Sequence, residues 1–443
     1  MLFIEFLKIY IFGMTRSKIF SSLYVHMFFL LGALFLIPKI AVSDESVDKN
    51  IKPPFVGHID SVVIDTSLTL SKLIELTMEK YPDVTWLTAL EDEAIALSER
   101  GQSWTAGPSQ AGLGYQSIAS SKLNYGTANV QVPLWNMGQR DAQNNLANKA
   151  EVSANLQIAD VKLRVAGLVR GALWSIALAN IRYEQAKAEL GIYEKLLATI
   201  KRRVESGDLP RADDLLAQTE LLQKRSVYTQ AEAELMHARK RYMSITQLNK
   251  IPASYEEPLV EIKEFEQNHP GLIALNSQID RKQAELSATK AIGSGQASVV
   301  AGLLSDEGKD DRSNKAEFFN VGVNVPFGGS AHLRPHIAAI NVELNKLIAE
   351  REQLYRDLEQ AHHEAEHNLE INKVELDNAN EQRKVSEQLL SMTELAFSVG
   401  EIGLMDLLKI QSRTQQAILA AKERVVMMQR DKALYNQAVG VMP

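Results

Sequence analysis

The chain has no cysteine, and its 443 residues include only 13 prolines and 24 glycines. Without a thiol there is no disulfide scaffold, zinc–thiolate centre, cysteine nucleophile or cysteine-linked lipid anchor. Aromatic residues make up 7% of the chain, few for a large sheet, and sparse Gly and Pro leave room for long helices. No block of Lys or Arg stands out and the formal net charge is −7, which disfavours a nucleic-acid partner held by phosphate neutralisation. What is present is ordinary globular composition, 45% hydrophobic and 23% charged, and that excludes a disordered or collagen-like chain.

Residues 1–43 read as a signal peptide. Arg16 and Lys18 form a basic start, Met27 to Ile37 is an apolar run, and Ala41-Val42-Ser43 supplies the small side chains of a cleavage site. Met14 is an alternative start, because the residues before it add nothing to this pattern. The competing reading is an N-terminal membrane anchor, but the run falls short of the roughly 18 residues of a spanning helix. No later apolar stretch is long enough either, so the remainder is soluble in an exported compartment or spans a membrane by strands.

The sequence also carries an internal echo. Val132-Pro133-Leu134 matches Val325-Pro326-Phe327, Gly207-Asp208-Leu209 matches Gly400-Glu401-Ile402, and Asp213, Leu215 and Gln218 match Asp406, Leu408 and Gln411, all at an offset of 193. Tyr81-Pro82 matches His269-Pro270 at 188, a difference that one loop absorbs. A shared offset implies duplication, and the period is too long for a solenoid. The expected organisation is an N-terminal extension at 44–66, a first repeat at 67–247, a linker at 248–268 holding Pro252 and Pro258, and a second repeat at 269–440. Each repeat runs through a first helix (70–104 and 270–292), a strand pair (109–135 and 296–328), a very long helix (139–205 and 331–399) and a returning helix (211–247 and 404–439).

Alternation carries the strand assignment. Phe319, Val321, Val323, Val325 and Phe327 alternate with polar or small residues, as do Val130, Val132 and Leu134, so the apolar members share one face. Val299–Leu304 reads as a partner strand, and the charged stretch 305–317 as a solvated loop. Heptad spacing carries the long helices. Ile337, Ile340, Leu344, Leu347, Leu354, Leu358, Ala361 and Ala365 step by three and four, interrupted by Arg351, and Ile158, Val161, Val165, Leu168 and Ala172 do the same. The predicted class is mainly α with a small β part. Four strands cannot close a barrel in lipid, where about eight are the minimum. If the hairpins span a membrane, identical copies must pool them; the other reading is a small soluble sheet.

The leader, Leu68-Thr69-Leu70 opening a helix, hairpins ending in Val-Pro-Leu or Val-Pro-Phe, the long helix, a Gly-centred break and the doubling resemble the TolC-like outer-membrane efflux family over about 67–440. The resemblance implies a homotrimer, a shared 12-stranded β-barrel set in the outer-membrane lipid of a Gram-negative bacterium, and an α-helical barrel continuing it through the periplasm. It also implies a passive exit duct, not an enzyme and without a cofactor, that receives its cargo from a periplasmic adaptor (membrane fusion) protein and an inner-membrane RND-type pump. Ala106-Gly107-Pro108, Gly112 to Gln116, Pro133-Leu134-Trp135, Gly138-Gln139-Arg140 and Gly207-Asp208-Leu209 leading to Ala217 further resemble its heavy-metal-efflux (CzcC-like) branch. That branch exports divalent cations; a drug or other small-molecule pump is the alternative.

By the resemblance, Gly207, Asp208, Leu209, Gly400, Glu401 and Ile402 form the periplasmic tip that meets the adaptor. Read from the residues alone they make helix-breaking turns, since Gly permits positive φ and Pro210 cannot continue a helix. Asp213 and Asp406 either serve the dipole of the returning helix or, repeated by symmetry, form an acidic constriction of the tunnel, which Lys409 weakens. Trp135 and Tyr115 belong to an interfacial aromatic girdle or to packing at the sheet–helix junction. His363-Glu364-Ala365-Glu366-His367 fits the zinc-protease spacing H-E-x-x-H. An unbroken helix on both sides and the lack of a third ligand argue against protease chemistry. A solvated charged face or incidental surface metal binding near His362 remains, with no resident metal expected. A soluble periplasmic coiled-coil adaptor or scaffold is the alternative from another class, though adaptors carry β-rich domains that this chain lacks.

Overall fold

The computed structural model describes residues 61–118, 120, 123–260, 268–308 and 315–443. The signal peptide and residues 44–60 of the N-terminal extension fall outside the described residues.

Seven helices and six strands are described. After a short strand β1 (Val63–Asp65) come α1 (Leu70–Glu79) and α2 (Val84–Gln102). The sequence reading made a single helix of 70–104, and the structure corrects it. Thr69 caps α1 by accepting a hydrogen bond from the Lys72 N–H at 3.2 Å. The chain then breaks at Tyr81-Pro82-Asp83, because Pro82 lacks an N–H and biases its predecessor away from helical geometry. Strands β2 (Gln110–Ile118) and β3 (Leu123–Pro133) follow, then α3 (Gln139–Glu205) and α4 (Arg211–Thr246). Strand β4 (Lys250–Pro252) pairs in parallel with β1. The extension and the linker, to which the sequence reading assigned no strand, are therefore stitched together by a ladder too short to show a period.

The second series is α5 (Pro270–Ala291), β5 (Ser298–Gly308), β6 (Ala316–Asn324), α6 (Ser330–Ser398) and α7 (Leu404–Ala438). Two boundaries differ from the sequence reading. Residues 305–308 continue β5 instead of opening a loop, with Asp306 paired to Ala316, because a charged strand end is tolerated beyond an apolar band. Val325 and Phe327 lie past the end of β6, since Pro326 cannot donate to a ladder.

The larger sheet has the order β2-β3-β5-β6 and is antiparallel throughout. The helices repeat that order. α3 packs against α2 near the sheet and against α4 further on, and its other side meets α5 and then α7; α6 packs on α5 and then α7. The result is a layer four helices wide with α2/α4 at one margin and α6 at the other, directly below the margins β2 and β6. One core joins α1, α3 and α4 around Leu73, Val165, Val169, Leu173 and Tyr242. A second gathers Tyr193, Ile200, Leu221, Phe397 and Leu404 near the helix-to-helix turns.

Candidate functional site

The register of the sheet sorts its side chains into two faces. On one, cross-strand rows read Val132–Val299–Val323, Ala111–Val130–Ala301–Val321 and Leu113–Ala128–Leu303–Phe319. This face is apolar yet open: Leu113 is 89% exposed and Phe319 70%. The other reads Gln110–Gln131–Val300–Gly322, Gly112–Asn129–Gly302–Asn320, Gly114–Thr127–Leu304–Phe318 and Gln116–Tyr125–Asp306–Ala316, polar or small over most of β2 and β3 and mixed over β5 and β6. Asn129 and Asn320 fill the space a side chain would need there, since a Cβ on Gly112 or Gly302 would lie 2.5 Å from their amide oxygens. An apolar face backed by a more polar one is the pattern of a strand between lipid and water. Tyr115 ends the apolar band and is exposed, in the place of a girdle residue. Trp135 does not join it; its indole N–H donates to the Ser103 carbonyl at 3.0 Å, and it packs at the junction.

The motif residues around that junction prove to be joinery. The Asn136 amide donates to the Ile292 and Gly295 carbonyls at 2.9 Å each. Arg140 donates to the Gly101 and Gln102 carbonyls at 3.0 and 3.2 Å. They satisfy the orphan ends of α2 and α5 and thereby fix the sheet to the helix layer.

At the far end the two turns come together. Gly207 and Gly400 hold φ of +83° and +80°, and Leu209 and Ile402 pack on the same apolar cluster. Arg203 links them. Its carbonyl accepts from the Asp208 N–H at 2.8 Å, its Nε donates to the Asp208 carboxylate at 2.5 Å, and its guanidinium lies 4.9 Å from the centre of the Phe397 ring. Sequence reading missed this residue, because a lone Arg near a helix C-terminus reads as a complement to the dipole. Asp213 and Asp406 occupy the third position of α4 and α7, with Asp406 exposed and Asp213 half-buried.

Buried polar side chains were also invisible to periodicity. Arg170 of α3 is fully buried and makes a two-pronged ion pair with Glu257 at 2.8 and 2.6 Å, while donating to Gln437 at 2.6 Å and to the Val441 carbonyl at 3.0 Å. It fastens the linker and the C-terminal segment to the long helix. Nearby, burial pushes the His269 imidazole below its usual range and the Asp160 carboxyl above its own. Tyr193, buried in the second cluster, is pushed up first by burial and then by Glu189.

The H-E-x-x-H residues do not form a catalytic constellation. His363 and His367 are exposed and His362 is buried against Tyr435. Glu364 lines a cavity of about 530 Å³ between α3, α6 and α7 that includes neither His363 nor His367. Among the described residues, no three His, Cys, Asp or Glu side chains already stand together as a metal site, and no helix is long and apolar enough to cross a membrane.

No family model matches the chain, and no curated protein matches it by sequence. Solved structures do. The outer membrane protein VceC from Vibrio cholerae is 12% identical with a TM-score of 0.67, over 84% of this chain and 96% of its own. CusC, solved in a study of transmembrane channel formation, is 11% identical with a TM-score of 0.69, over 86% and 94%. The open state of the MtrE outer membrane channel of Neisseria gonorrhoeae is 15% identical with a TM-score of 0.64, over 86% and 91%. The fold is therefore that of the TolC-like outer-membrane channels.

Proposed function

We propose that this chain is one subunit of a passive outer-membrane exit duct of a Gram-negative bacterium, serving a tripartite efflux system. The observation that carries the reading is the two-faced sheet with open margins on the same sides as the open margins of the helix layer. β6 and β2 run in opposite directions, so β2 of a second copy can continue the antiparallel ladder beside β6. The helix margins beneath them carry apolar stripes at matching heights: Leu215 and Leu222 on α4 are 56% and 62% exposed, and Met392 and Leu395 on α6 are 70% and 68% exposed. One closing motion thus satisfies both strand edges, a requirement in lipid, and covers both stripes. Three copies, giving 12 strands, are the assembly that the family likeness favours.

In this reading the turns around Gly207, Asp208, Leu209, Gly400, Glu401 and Ile402 face a periplasmic adaptor, and Asp213 and Asp406 ring the narrow end. An inner-membrane pump of the RND type supplies the cargo. The assignment of divalent heavy-metal cations as cargo rests on the motif resemblance alone. The decisive experiment is the mass of the detergent-solubilised protein together with conductance in a planar bilayer. A trimer mass with ion conduction is expected; a water-soluble monomer without conduction overturns the reading. Asp406→Lys should lower cation conductance, and an unchanged value removes the acidic ring.

A further inference from the structure

The open face of α6 carries one arrangement to which the duct reading assigns no role. His363 and His367 stand one helical turn apart, both exposed, with their rings 6.4 Å centre to centre and 12° from parallel. Side chains four apart on a helix are neighbours whose tips approach by rotamer change alone. Two imidazole nitrogens at about 2.0–2.1 Å from one ion fit a four-coordinate metal, leaving two positions to water or carboxylate. Glu359, Glu366 and Glu370 lie at three- and four-residue spacings from these histidines and are also exposed. They can supply charge and a third donor once a cation is held. His362, adjacent in sequence, is excluded from the set because its ring is turned inward, with Nε2 3.3 Å from the Tyr435 hydroxyl.

We propose that His363 and His367 form a two-histidine chelate for a divalent transition-metal ion on the outside of α6, with Glu366 or Glu370 as the third donor. Imidazole with carboxylate and water suits borderline ions, so the affinity order is Cu²⁺ above Ni²⁺ and Zn²⁺, with Mg²⁺ and Ca²⁺ unbound. The site is read as a binding site and not a hydrolytic one, for both histidines stand exposed on the helix surface, outside the cavity that Glu364 lines. The inference needs only one helix, and in the proposed assembly His367, four heptads from Leu395, lies on the margin that a second copy approaches, so the ion reaches it along that seam.

The test is titration of the purified, detergent-solubilised full chain with CuCl₂, NiCl₂, ZnCl₂ and MgCl₂ by calorimetry, with the Cu²⁺ form read by electron paramagnetic resonance. One tight Cu²⁺ per chain with two nitrogen donors is expected. His363→Ala and His367→Ala should each weaken it by about tenfold or more, a scale on which even outer partners of a metal matter. His237→Ala, at another exposed position, should leave it unchanged. Adding Glu366→His to His367→Ala restores a three-residue spacing and should recover binding. Wild-type binding no tighter than that of the doubly substituted His363→Ala, His367→Ala protein overturns the proposal, as does a Cu²⁺ spectrum with a single nitrogen donor.

Discussion

The two long helices are nearly equal in length, 67 residues in α3 and 69 in α6, yet 23 residues of α3 are buried and only six of α6. The difference is position in the layer. α3 lies between two neighbours and under α1, whereas α6 has a neighbour on one side only. The seams differ as well. Buried positions of α4, which packs on α3, are mostly apolar, including Leu221, Leu235 and Tyr242. Those of the α6–α7 pair include His362, Asn372, Thr393, Gln411, Thr414 and Asp431. The α6/α7 seam is thus the more polar of the two, although Phe397, Leu404, Leu407 and Leu408 are buried there as well. A helix 193 residues on from α3 makes the contrast local: the position corresponding to buried Arg170 is exposed His363.

The largest effect should come from removing what makes α3 central. Arg170→Ala leaves Glu257 buried without its partner and should cost about 3–5 kcal/mol, read by urea denaturation of the solubilised protein. Arg170→Met with Glu257→Leu should recover most of that loss, because a packed apolar pair can replace a buried ion pair. If the single change costs under about 1 kcal/mol, the link is peripheral and the contrast with α6 fails.

The second test is on the α6/α7 seam. The Asn372 amide donates to Asp431, whose carboxylate also pairs with Arg430 at 2.9 Å. Asp431→Ala should destabilise by about 1–3 kcal/mol, since it strips partners from buried donors. Asn372→Leu with Asp431→Leu should be neutral or raise the melting temperature. A fall as large as that of the single variant would show that the polar seam is not the weaker closure.

The turns are where the two halves agree. Gly207 and Gly400 share positive φ, and neither has an atom within 4 Å of where a Cβ would sit. Substitution by Ala therefore costs backbone strain alone, about 1–2 kcal/mol at each, and the two costs should be equal in a melting series. Unequal costs would mean that the Arg203 link loads one turn more than the other.

This agreement also marks what the sequence could show. Heptad spacing and alternation over many residues make the helical class and the small sheet readable, because a long period averages out local exceptions. Gly207 and Gly400 were readable because positive φ has few other solutions. The β1–β4 ladder was not, since three residues carry no period, and neither was the break at Pro82, which sits inside an apolar pattern that continues on both sides. Arg170, Arg203 and Asn136 act on partners between 87 and 271 residues away or across a turn, and no local spacing announces such a partner. The open margin of α6 was hidden for a further reason: its apolar stripe looks the same whether the chain itself or a second copy covers it.

The smallest effect is expected where α5 and α7 meet between the two long helices. His269 caps α5, its Nδ1 accepting from the Gly271 N–H at 3.1 Å, and its other ring nitrogen donates to the Gln437 backbone. The bond at Nδ1 requires the neutral ring, whereas the one to the Gln437 backbone favours the charged ring; burial, the larger effect, holds the imidazole below its usual 6.5. The folded chain then binds fewer protons than the unfolded one, so this contribution is complete above the usual value and is lost as pH falls through it toward the folded value. Asp160 works in the opposite sense, because burial raises its carboxyl and acid relieves that cost. The difference between proteins isolates the histidine. On going from about pH 7.5 to about pH 5.5, the wild type should lose about 2 °C more in melting temperature than His269→Asn, whose amide oxygen keeps the cap without titrating. Parallel curves for the two proteins would take the acid sensitivity of this joint away from the His269 cap.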